Sequence, residues 1–302
     1  TLTSTSTTGD IIILCCEYAK EEKCLNDFGK IFKQFRESKG MSLREVAGDK
    51  LSASQISRFE RGQTSLNVES FYNCLNNLNI SLGEFELRYR NYIQDDNIVF
   101  NSKISEAYLS GNISKLMSML DKLSEENTSV SYLNSIVVKT AISMCDPSRR
   151  VSQKDINFLS DYLFSIEEWG NYELWLFGNT SFTLSPQLLN LLGSEMINKT
   201  HFYKSSEENK KKVYMMTLNI ISTFLDKNEL TYALKFLNYL DTISISETET
   251  YIKMFHKYVK LLYSYKIGDS EAIFELKKLV SALEVLECYG SAKKINDEIS
   301  KL

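Results

Sequence analysis

The feature that most constrains this chain is a helical spacing of apolar residues that begins at Phe28 and continues to the end of the sequence. Beyond residue 97, no stretch alternates apolar and polar residues as a half-buried strand would. Only two prolines and 12 glycines stand among the 302 residues, so few positions interrupt a helix. The sequence therefore predicts an all-α protein, and its length predicts two or three structural units.

A short helix with a polar and basic outer face is predicted within Leu51–Gly62, LSASQISRFERG, with Gly62 as its C-cap. Ser52 or Ala53 stands at the N-cap position, and Ile56 and Phe59 fall three residues apart on one face. The opposite face carries Ser54, Ser57, Arg58 and Arg61. Small residues followed by arginines suit a helix whose N-terminal end approaches base edges in the major groove. Taken alone, the stretch fits an amphipathic surface helix equally well.

The neighbouring residues predict a helix-turn-helix around this stretch. Ser42 caps a preceding helix, and Glu45, three residues later, completes a capping box. A short turn through Asp49–Leu51 joins that helix to the basic one. A fourth helix is predicted after the QTSLN loop, and Ile80–Phe85 begins a fifth. The apolar stripe of the first helix consists of Phe28, Ile31, Phe32 and Phe35. Five short helices in about 65 residues predict a compact domain.

The charge distribution sets this domain apart from the rest of the chain. Between Asn26 and Ser65 there are eight basic and five acidic residues, a local charge of +3, whereas the whole chain carries −4. A basic head on an acidic body suits a DNA reader, because the acidic body does not adhere to phosphate.

The sequence from Ser42 to Glu86 resembles the DNA-binding domain of the phage-repressor (Cro/C1) class of helix-turn-helix proteins, through SQISRFERG and the later LNISLGEF. In that class the first residues of the recognition helix read bases. The resemblance therefore implies base contacts by Ala53, Ser54, Ser57 and Arg58. Ala53 is shorter than the residue usual at its position and can contact only a thymine methyl group, so more of the base readout is expected from Arg58.

Phosphate contacts are expected beside the base-reading residues. Gln55 is expected to contact a phosphate or a base, and the backbone amides of Gln63–Asn67 are expected to hold phosphates. The basic phosphate-binding candidates are Arg44, Lys50 and Arg61. Glu60 is expected to pair within the protein, with Arg36 or Arg44, because DNA repels a carboxylate.

The remainder of the chain is predicted to be a helical-repeat body. Three of its helix breaks share one form, an aromatic-ended helix, a tight Gly/Asn/Asp turn and an amphipathic helix, and these begin at Tyr108, Phe224 and Tyr265. Stacked helix pairs of this kind build tetratricopeptide-like (TPR-like) superhelices, although a clean 34-residue period is missing. The sequence thus predicts a curved body with a concave face.

The sequence does not predict an enzyme, a cofactor or a metal site. His201 and His256 stand far apart, with no nucleophile or phosphate-loop pattern beside them, so both are expected to be surface or satisfied core residues. The six cysteines lack metal-type spacing and indicate a reducing, cytoplasmic compartment. The apolar run Ile11–Cys16 is too short to span a membrane.

An aromatic stretch in the body carries a second resemblance. The composition of Asp161–Asn179, DYLFSIEEWGNYELWLFGN, favours core packing between two helices. Its pattern FSxEEWGxYELxLFGN also resembles the regulatory domain of the Rgg (Rgg/GadR/MutR) family of Gram-positive transcriptional regulators, over about Asp27 to the C-terminus. That resemblance implies a Cro-type head and a right-handed TPR-like body, and a homodimer that binds operator DNA and a short hydrophobic imported pheromone peptide in quorum sensing.

Polar groups on otherwise apolar helices are the candidates for holding such a peptide, with the alternative of a helix cap or solvated face open for each. They are Asn134, Arg149, Arg150, Asn179, Asn219 and Tyr258. The expected domains are a tail over 1–25, a head over 26–90 and a regulatory and dimerisation body over 91–302. The tail is expected to be an extension or tag-like segment, with two alternatives: a tethered or mimic pheromone-like ligand in Asp10–Leu14, or an ordinary N-terminal strand or helix turn. A different class of function, a helical-repeat adaptor with a non-regulatory head, also stays open.

Overall fold

The computed structural model describes residues 28–92, 96–201 and 205–300. Over these ranges the chain forms sixteen α-helices and one short 3-10 turn, and it contains no β-strand. The prediction of an all-α fold is confirmed. The predicted tail over 1–25 lies outside the described residues. None of the helices in the described ranges has the length and apolar content needed to cross a membrane.

Five helices form the head, in the order that the sequence predicts. They are α1 (Phe28–Ser38), α2 (Leu43–Ala47), α3 (Ala53–Glu60), α4 (Val68–Asn77) and α5 (Leu82–Tyr92). Phe32, Ile56, Leu75 and Phe85 are buried between them. The ring of Phe71 meets Phe85 edge to face at 4.9 Å between centroids, an arrangement that favours aromatic pairs. The head therefore has an apolar core of its own.

Eleven further helices complete the described chain. They are α6 (Asp96–Leu109), α7 (Ile113–Glu126), α8 (Ser129–Cys145), α9 (Gln153–Ser165), α10 (Asn171–Thr180), α11 (Pro186–Lys199), α12 (Glu207–Asp226), α13 (Leu230–Asp241), α14 (Thr250–Lys266), α15 (Ala272–Val285) and α16 (Tyr289–Ile299). By their contacts the described residues divide into two units, one up to Lys103 and one from Ile104. The predicted boundary at residue 90 stays a prediction.

The body repeats a helix–turn–helix plan. Its three predicted tight turns are confirmed, because Gly111, Asn228 and Gly268 each adopt positive φ between consecutive helices. Helices α8, α10, α12 and α14 contact one another in succession and form one layer. The helices between them, α9, α11 and α13, pack against this layer. Each helix thus buries one face on its chain neighbours, as stacked repeats require.

Candidate functional site

The exposed face of α3 begins at a well-defined cap. The backbone N–H of Gln55 donates to the Ser52 hydroxyl over 3.2 Å, and the backbone N–H of Ser52 donates to Gln55 Oε1 over 2.8 Å. Ser52 is therefore the N-cap, and Ala53 is the first helical residue. Ser54 and Arg58 are exposed, and Ser57 is half-buried. The residues predicted to read bases thus begin within the first turn of α3.

Gln55 has a structural role in addition to the DNA contact predicted for it. Its side-chain oxygen accepts from the Ser52 backbone N–H and also from the Ser52 hydroxyl, over 3.0 Å. Only the amide nitrogen remains to meet another acceptor. The sequence carries a signal for this role, because a serine followed three residues later by glutamine is a capping-box pattern.

A buried ion pair fixes α3 on α1. Arg36 donates through Nε and Nη2 to the two carboxylate oxygens of Glu60, over 2.6 and 2.9 Å, and through Nη1 to the Met41 carbonyl. The hydrogen bond with Glu60 raises the pKa of Arg36. Of the two partners expected for Glu60, the structure selects Arg36, while Arg44 is exposed. A bidentate pair of this geometry sets the orientation as well as the position of the helix.

The turn between α2 and α3 depends on Gly48. Its backbone has φ +58 and ψ −146, a conformation that residues other than glycine rarely adopt. A Cβ atom there would lie 2.8 Å from Nδ2 of Asn77, which donates a hydrogen bond to the Val46 carbonyl. The predicted capping box of α2, between Ser42 and Glu45, is confirmed. At the other end of α3, Arg61 is the C-cap, and the predicted cap Gly62 follows it with φ +69.

The predicted phosphate-binding side chains are all exposed. Lys50 pairs with Glu69 over 3.0 Å, and Arg61 Nε donates to the Ser57 carbonyl over 3.1 Å. Among the described residues no ion-pair partner accompanies Arg44 or Arg58. Because both partners of the Lys50 pair are solvated, that pair holds Lys50 only weakly.

Among the described residues, no two of the six polar candidates of the body are hydrogen-bonded to each other. Asn134 accepts from the Tyr172 hydroxyl over 3.1 Å, and Asn179 donates to the Trp175 carbonyl of its own helix over 2.8 Å. Tyr258 is buried and its hydroxyl binds Glu298. The remaining three candidates occupy different environments. Arg149 pairs with Asp146 over 3.3 Å, Arg150 is exposed, and Asn219 is half-buried on α12.

Asn219 lies on α12, about one helical turn after a residue that packs against α10. Gly178 of α10 packs so closely on Met216 of α12 that a Cβ atom at residue 178 would overlap the Met216 methyl group. Asn219 follows Met216 by three residues and so shares its face of α12, while Asn179 follows Gly178. Among the described residues, no hydrogen-bond partner is seen for the Asn219 side-chain amide. We call these residues, Gly178, Asn179, Met216 and Asn219, the α10–α12 seam.

Two polar clusters that were not predicted from the sequence tie α8, α9 and α10 together. In the first, Asp155 of α9 accepts from the Tyr132 hydroxyl over 2.7 Å and from Lys139 Nζ over 2.8 Å, both on α8. Burial raises the pKa of Asp155, but the bonds from Lys139, Ser152 and Tyr132 outweigh it and lower the pKa. The two α8 partners lie 16 and 23 residues away in sequence, so no local sequence pattern indicates these contacts.

In the second cluster, Tyr162 of α9 donates to Glu173 of α10 over 2.9 Å, and the Gly170 backbone N–H donates to the other Glu173 oxygen. Burial, and then the bond to Glu173, raises the pKa of Tyr162. Burial raises the pKa of neighbouring Tyr172 to about 12. Both tyrosines are therefore neutral hydroxyl donors at physiological pH.

Comparison with known families decides the assignment. A family model described as the C-terminal domain of the HTH-type transcriptional regulator Rgg matches residues 117–297, which is more than half of the chain. A helix-turn-helix family model matches residues 32–85. The chain belongs to the Rgg family. It is an Rgg-type transcriptional regulator with a helix-turn-helix DNA-binding head.

Solved structures share the fold of this Rgg-family chain. The pheromone receptor Rgg2 of Streptococcus dysgalactiae is 26% identical, with a TM-score of 0.80 over 91% of this chain and 99% of that one. A transcriptional regulator assigned in Listeria monocytogenes EGD-e is 19% identical, with a TM-score of 0.79 over 91% and 97%. A bacterial peptide pheromone/receptor complex is 12% identical, with a TM-score of 0.71 over 92% and 98%. The family and these neighbours are regulators rather than enzymes.

The tryptophan of the Rgg signature is a packing residue in this chain. Trp169 is buried, and its indole N–H donates to the Leu163 carbonyl over 3.1 Å. Its backbone N–H donates to the carbonyl of Lys199 at the end of α11, over 2.8 Å. The ring of Trp169 also meets Phe177 edge to face. The turn between α9 and α10 is thereby tied to α11, which agrees with the prediction that this stretch packs in the core.

Proposed function

We propose that this Rgg-family regulator binds a short hydrophobic peptide in its body and that peptide binding changes its affinity for operator DNA. The observation that carries the proposal is the match to Rgg2, which is described as a pheromone receptor and is similar over both the head and the body. Family membership also favours a regulator over a helical-repeat adaptor. The proposal places the regulator in the cytoplasm. It also includes a homodimer, because two recognition helices can then reach half-sites roughly 34 Å apart.

Operator contacts follow from the exposed face of α3. Arg58 reads guanine, since its guanidinium group is exposed and has no acidic partner among the described residues, and the Ala53 methyl group contacts thymine. Ser54 and Ser57 add polar contacts, and the Gln55 amide nitrogen donates to a phosphate or a base acceptor. The phosphate contacts come from Arg44, Lys50, Arg61 and the backbone amides of Gln63–Asn67. The buried Arg36–Glu60 pair supports this face by holding α3 in one orientation.

For the peptide, we place the first contact at the α10–α12 seam. The Asn219 amide is half-buried, has no protein partner among the described residues, and carries both a donor and an acceptor for a peptide backbone. Nearby, Met216 and the half-buried Trp175 offer apolar surface for side chains. The other predicted peptide contacts remain further candidates: Asn134, Asn179, Arg149 and Arg150. Tyr258 is the least available, because its hydroxyl already binds Glu298.

The experiment uses a synthetic peptide encoded by a short reading frame beside the gene. Fluorescence polarisation with the full-length protein measures peptide binding, and binding to DNA from upstream of the gene is measured with and without the peptide. We expect saturable peptide binding, a peptide-dependent change in DNA affinity, and an Asn219→Ala variant about three- to tenfold weaker for the peptide, the worth of one net hydrogen bond.

Asn157→Ala is the matched control, because Asn157 is an exposed asparagine on α9. Its peptide affinity is expected to equal that of the unaltered protein. Peptide binding that leaves DNA affinity unchanged contradicts the regulatory proposal. Equal peptide affinities of the Asn219→Ala and Asn157→Ala variants contradict the placement of the site at the seam.

A further inference from the structure

His256 lies where three helices of the body meet. Its Nδ1 is 2.7 Å from the Tyr214 hydroxyl of α12, and the two rings stand edge to face. Its Nε2 is buried and has no hydrogen-bond partner among the described residues. The nearest acidic atom is Oδ1 of Asp241, the last residue of α13, at 3.6 Å. That separation is too long for a hydrogen bond.

The carboxylate near Nε2 is already engaged by a cation. Lys260, one turn after His256 on α14, forms a close ion pair with Oδ1 of Asp241. His256 and Lys260 therefore face the same oxygen, and only Lys260 is within hydrogen-bond distance. A proton added to the imidazole would place a second cation beside Lys260 in a largely buried position.

Helices α12, α13, α15 and α16 contact α14 and bring charged or titratable groups to it, and Glu298 of α16 binds the Tyr258 hydroxyl rather than the imidazole. From α12, Tyr214 faces the imidazole, and Lys211 is paired with Glu249 at the start of α14. From α13 the facing group is Asp241. From α15, Glu275 interacts with Lys278 and with Lys257, on α14, rather than with the imidazole. The neutral imidazole is thus flanked by one hydroxyl, one carboxylate and one ammonium group.

The position of Asp241 favours the neutral tautomer with its proton on Nε2. With the proton on Nε2, the N–H group points toward Asp241 and the lone pair of Nδ1 accepts from the Tyr214 hydroxyl. A second proton must then bind Nδ1, so that the Nδ1–H group donates to the Tyr214 oxygen and the hydroxyl hydrogen of Tyr214 must turn elsewhere. The same proton draws Asp241 toward Nε2 and away from Lys260.

We propose that His256 is a proton-sensitive contact of the body, at which acid reverses the hydrogen bond with Tyr214, places a second cation beside Lys260 and loosens the packing of α14 on α12 and α13. Burial, and then Lys260, lowers the pKa of His256 below its usual value, whereas Asp241 opposes the shift. For a base with a lowered pKa, the unfolded form binds the proton first. Stability from this site is therefore complete above about pH 6.5 and falls as the pH drops below it. The proton-sensitive contact does not depend on which ligand the body binds.

Titration by NMR of the full-length protein with isotope-labelled histidine tests the geometry. The two histidine signals are assigned with His256→Gln and His201→Gln variants, since His201 is the other histidine and is exposed. We expect the pKa of His256 to rise in Lys260→Met and to fall in Asp241→Asn. A His256 signal that titrates identically in both variants overturns the proposal. Lys260 is half-exposed, so its replacement keeps this test available if a buried variant fails to fold.

Hydrogen exchange tests the consequence for the fold. Between about pH 7.5 and 5.5, a range that spans histidine titration, the protection of α13 and α14 amides is expected to fall in the unaltered protein, after correction for intrinsic exchange rates. The His256→Gln variant should retain the same protection across this range, and His201→Gln should behave like the unaltered protein. An equal loss of protection in His256→Gln and in the unaltered protein contradicts the proton-sensitive contact.

Discussion

The head and the body use polar side chains in different ways. In the head, the buried pair that holds α3, Arg36 and Glu60, is separate from exposed side chains such as Arg58, whereas Gln55 both caps α3 and faces outward. In the body, polar groups such as Tyr214 and His256 join one helix to the next. A change at Arg58 is therefore expected to leave the fold of the head intact. A change at the polar groups of the body alters helix packing, which is what a regulatory domain requires.

The largest expected effect on stability comes from removing the ion pair between Arg36 and Glu60 in the head. Glu60→Ala leaves the largely buried Arg36 guanidinium without its carboxylate, and the expected cost is about 3–5 kcal/mol. Hydrogen exchange should show loss of protection in α1 and α3. The double variant Arg36→Met/Glu60→Met should restore most of this protection, because apolar groups of similar size replace the pair. Unchanged exchange in Glu60→Ala would show that the pair does not hold α3.

A second substitution tests the polar ties of the body. Asp155→Asn weakens the bonds from Lys139 and Ser152, with an expected loss of about 1.5–3 kcal/mol at neutral pH. Because the folded-state pKa of Asp155 is lowered, its charge stabilises the fold above the ordinary pKa and loses that effect as the pH falls. Urea unfolding should show the difference between the two proteins narrowing below about pH 4. A difference that stays constant down to about pH 3 would contradict the ionic role of Asp155.

A third substitution tests the turn of the helix-turn-helix. Gly48→Ala places a side chain at positive φ and against Asn77, with an expected cost of roughly 1–3 kcal/mol. Gly40→Ala is the control, because Gly40 has φ +65 and no atom within 4 Å of the added Cβ. Thermal unfolding should give a lower unfolding temperature for Gly48→Ala than for Gly40→Ala. Equal unfolding temperatures would mean that the Asn77 side chain moves aside without a loss of stability.

The smallest expected effect on stability is at the surface of the head. Lys50→Ala removes an exposed ion pair with Glu69, so the free energy of unfolding should change by less than about 1 kcal/mol. The same variant should reduce the slope of log affinity against log salt by roughly one, because one phosphate contact is lost. An unchanged salt slope would remove Lys50 from the DNA interface.

The head is more predictable from its sequence than the body for a physical reason. The capping box of Ser42 and Glu45 and the inward positions of Ile56 and Phe59 are local features of one helix, so spacing alone indicates them. The capping role of Gln55 is equally local, since Gln55 follows Ser52 by three residues, but a polar residue on a DNA-facing helix also fits a DNA contact. Spacing alone does not decide between those two roles.

The polar partners of the body have no such local signal. Tyr172 meets Asn134 across 38 residues, and Tyr214 meets His256 across 42 residues. These contacts depend on how repeats stack, which periodicity does not specify. For that reason the turns at Gly111 and Gly268 are predictable, whereas the partner of His256 is not.

The most direct test of the central claim compares specific and non-specific DNA binding of the full-length protein. Fluorescence anisotropy at moderate salt should show that Arg58→Ala weakens binding to DNA from upstream of the gene by about 1–3 kcal/mol, or roughly five- to 150-fold. Binding to unrelated DNA should weaken much less, because phosphate contacts remain. Arg58→Ala binding that equals the unaltered protein on the upstream DNA would contradict the assignment of α3 as the recognition helix.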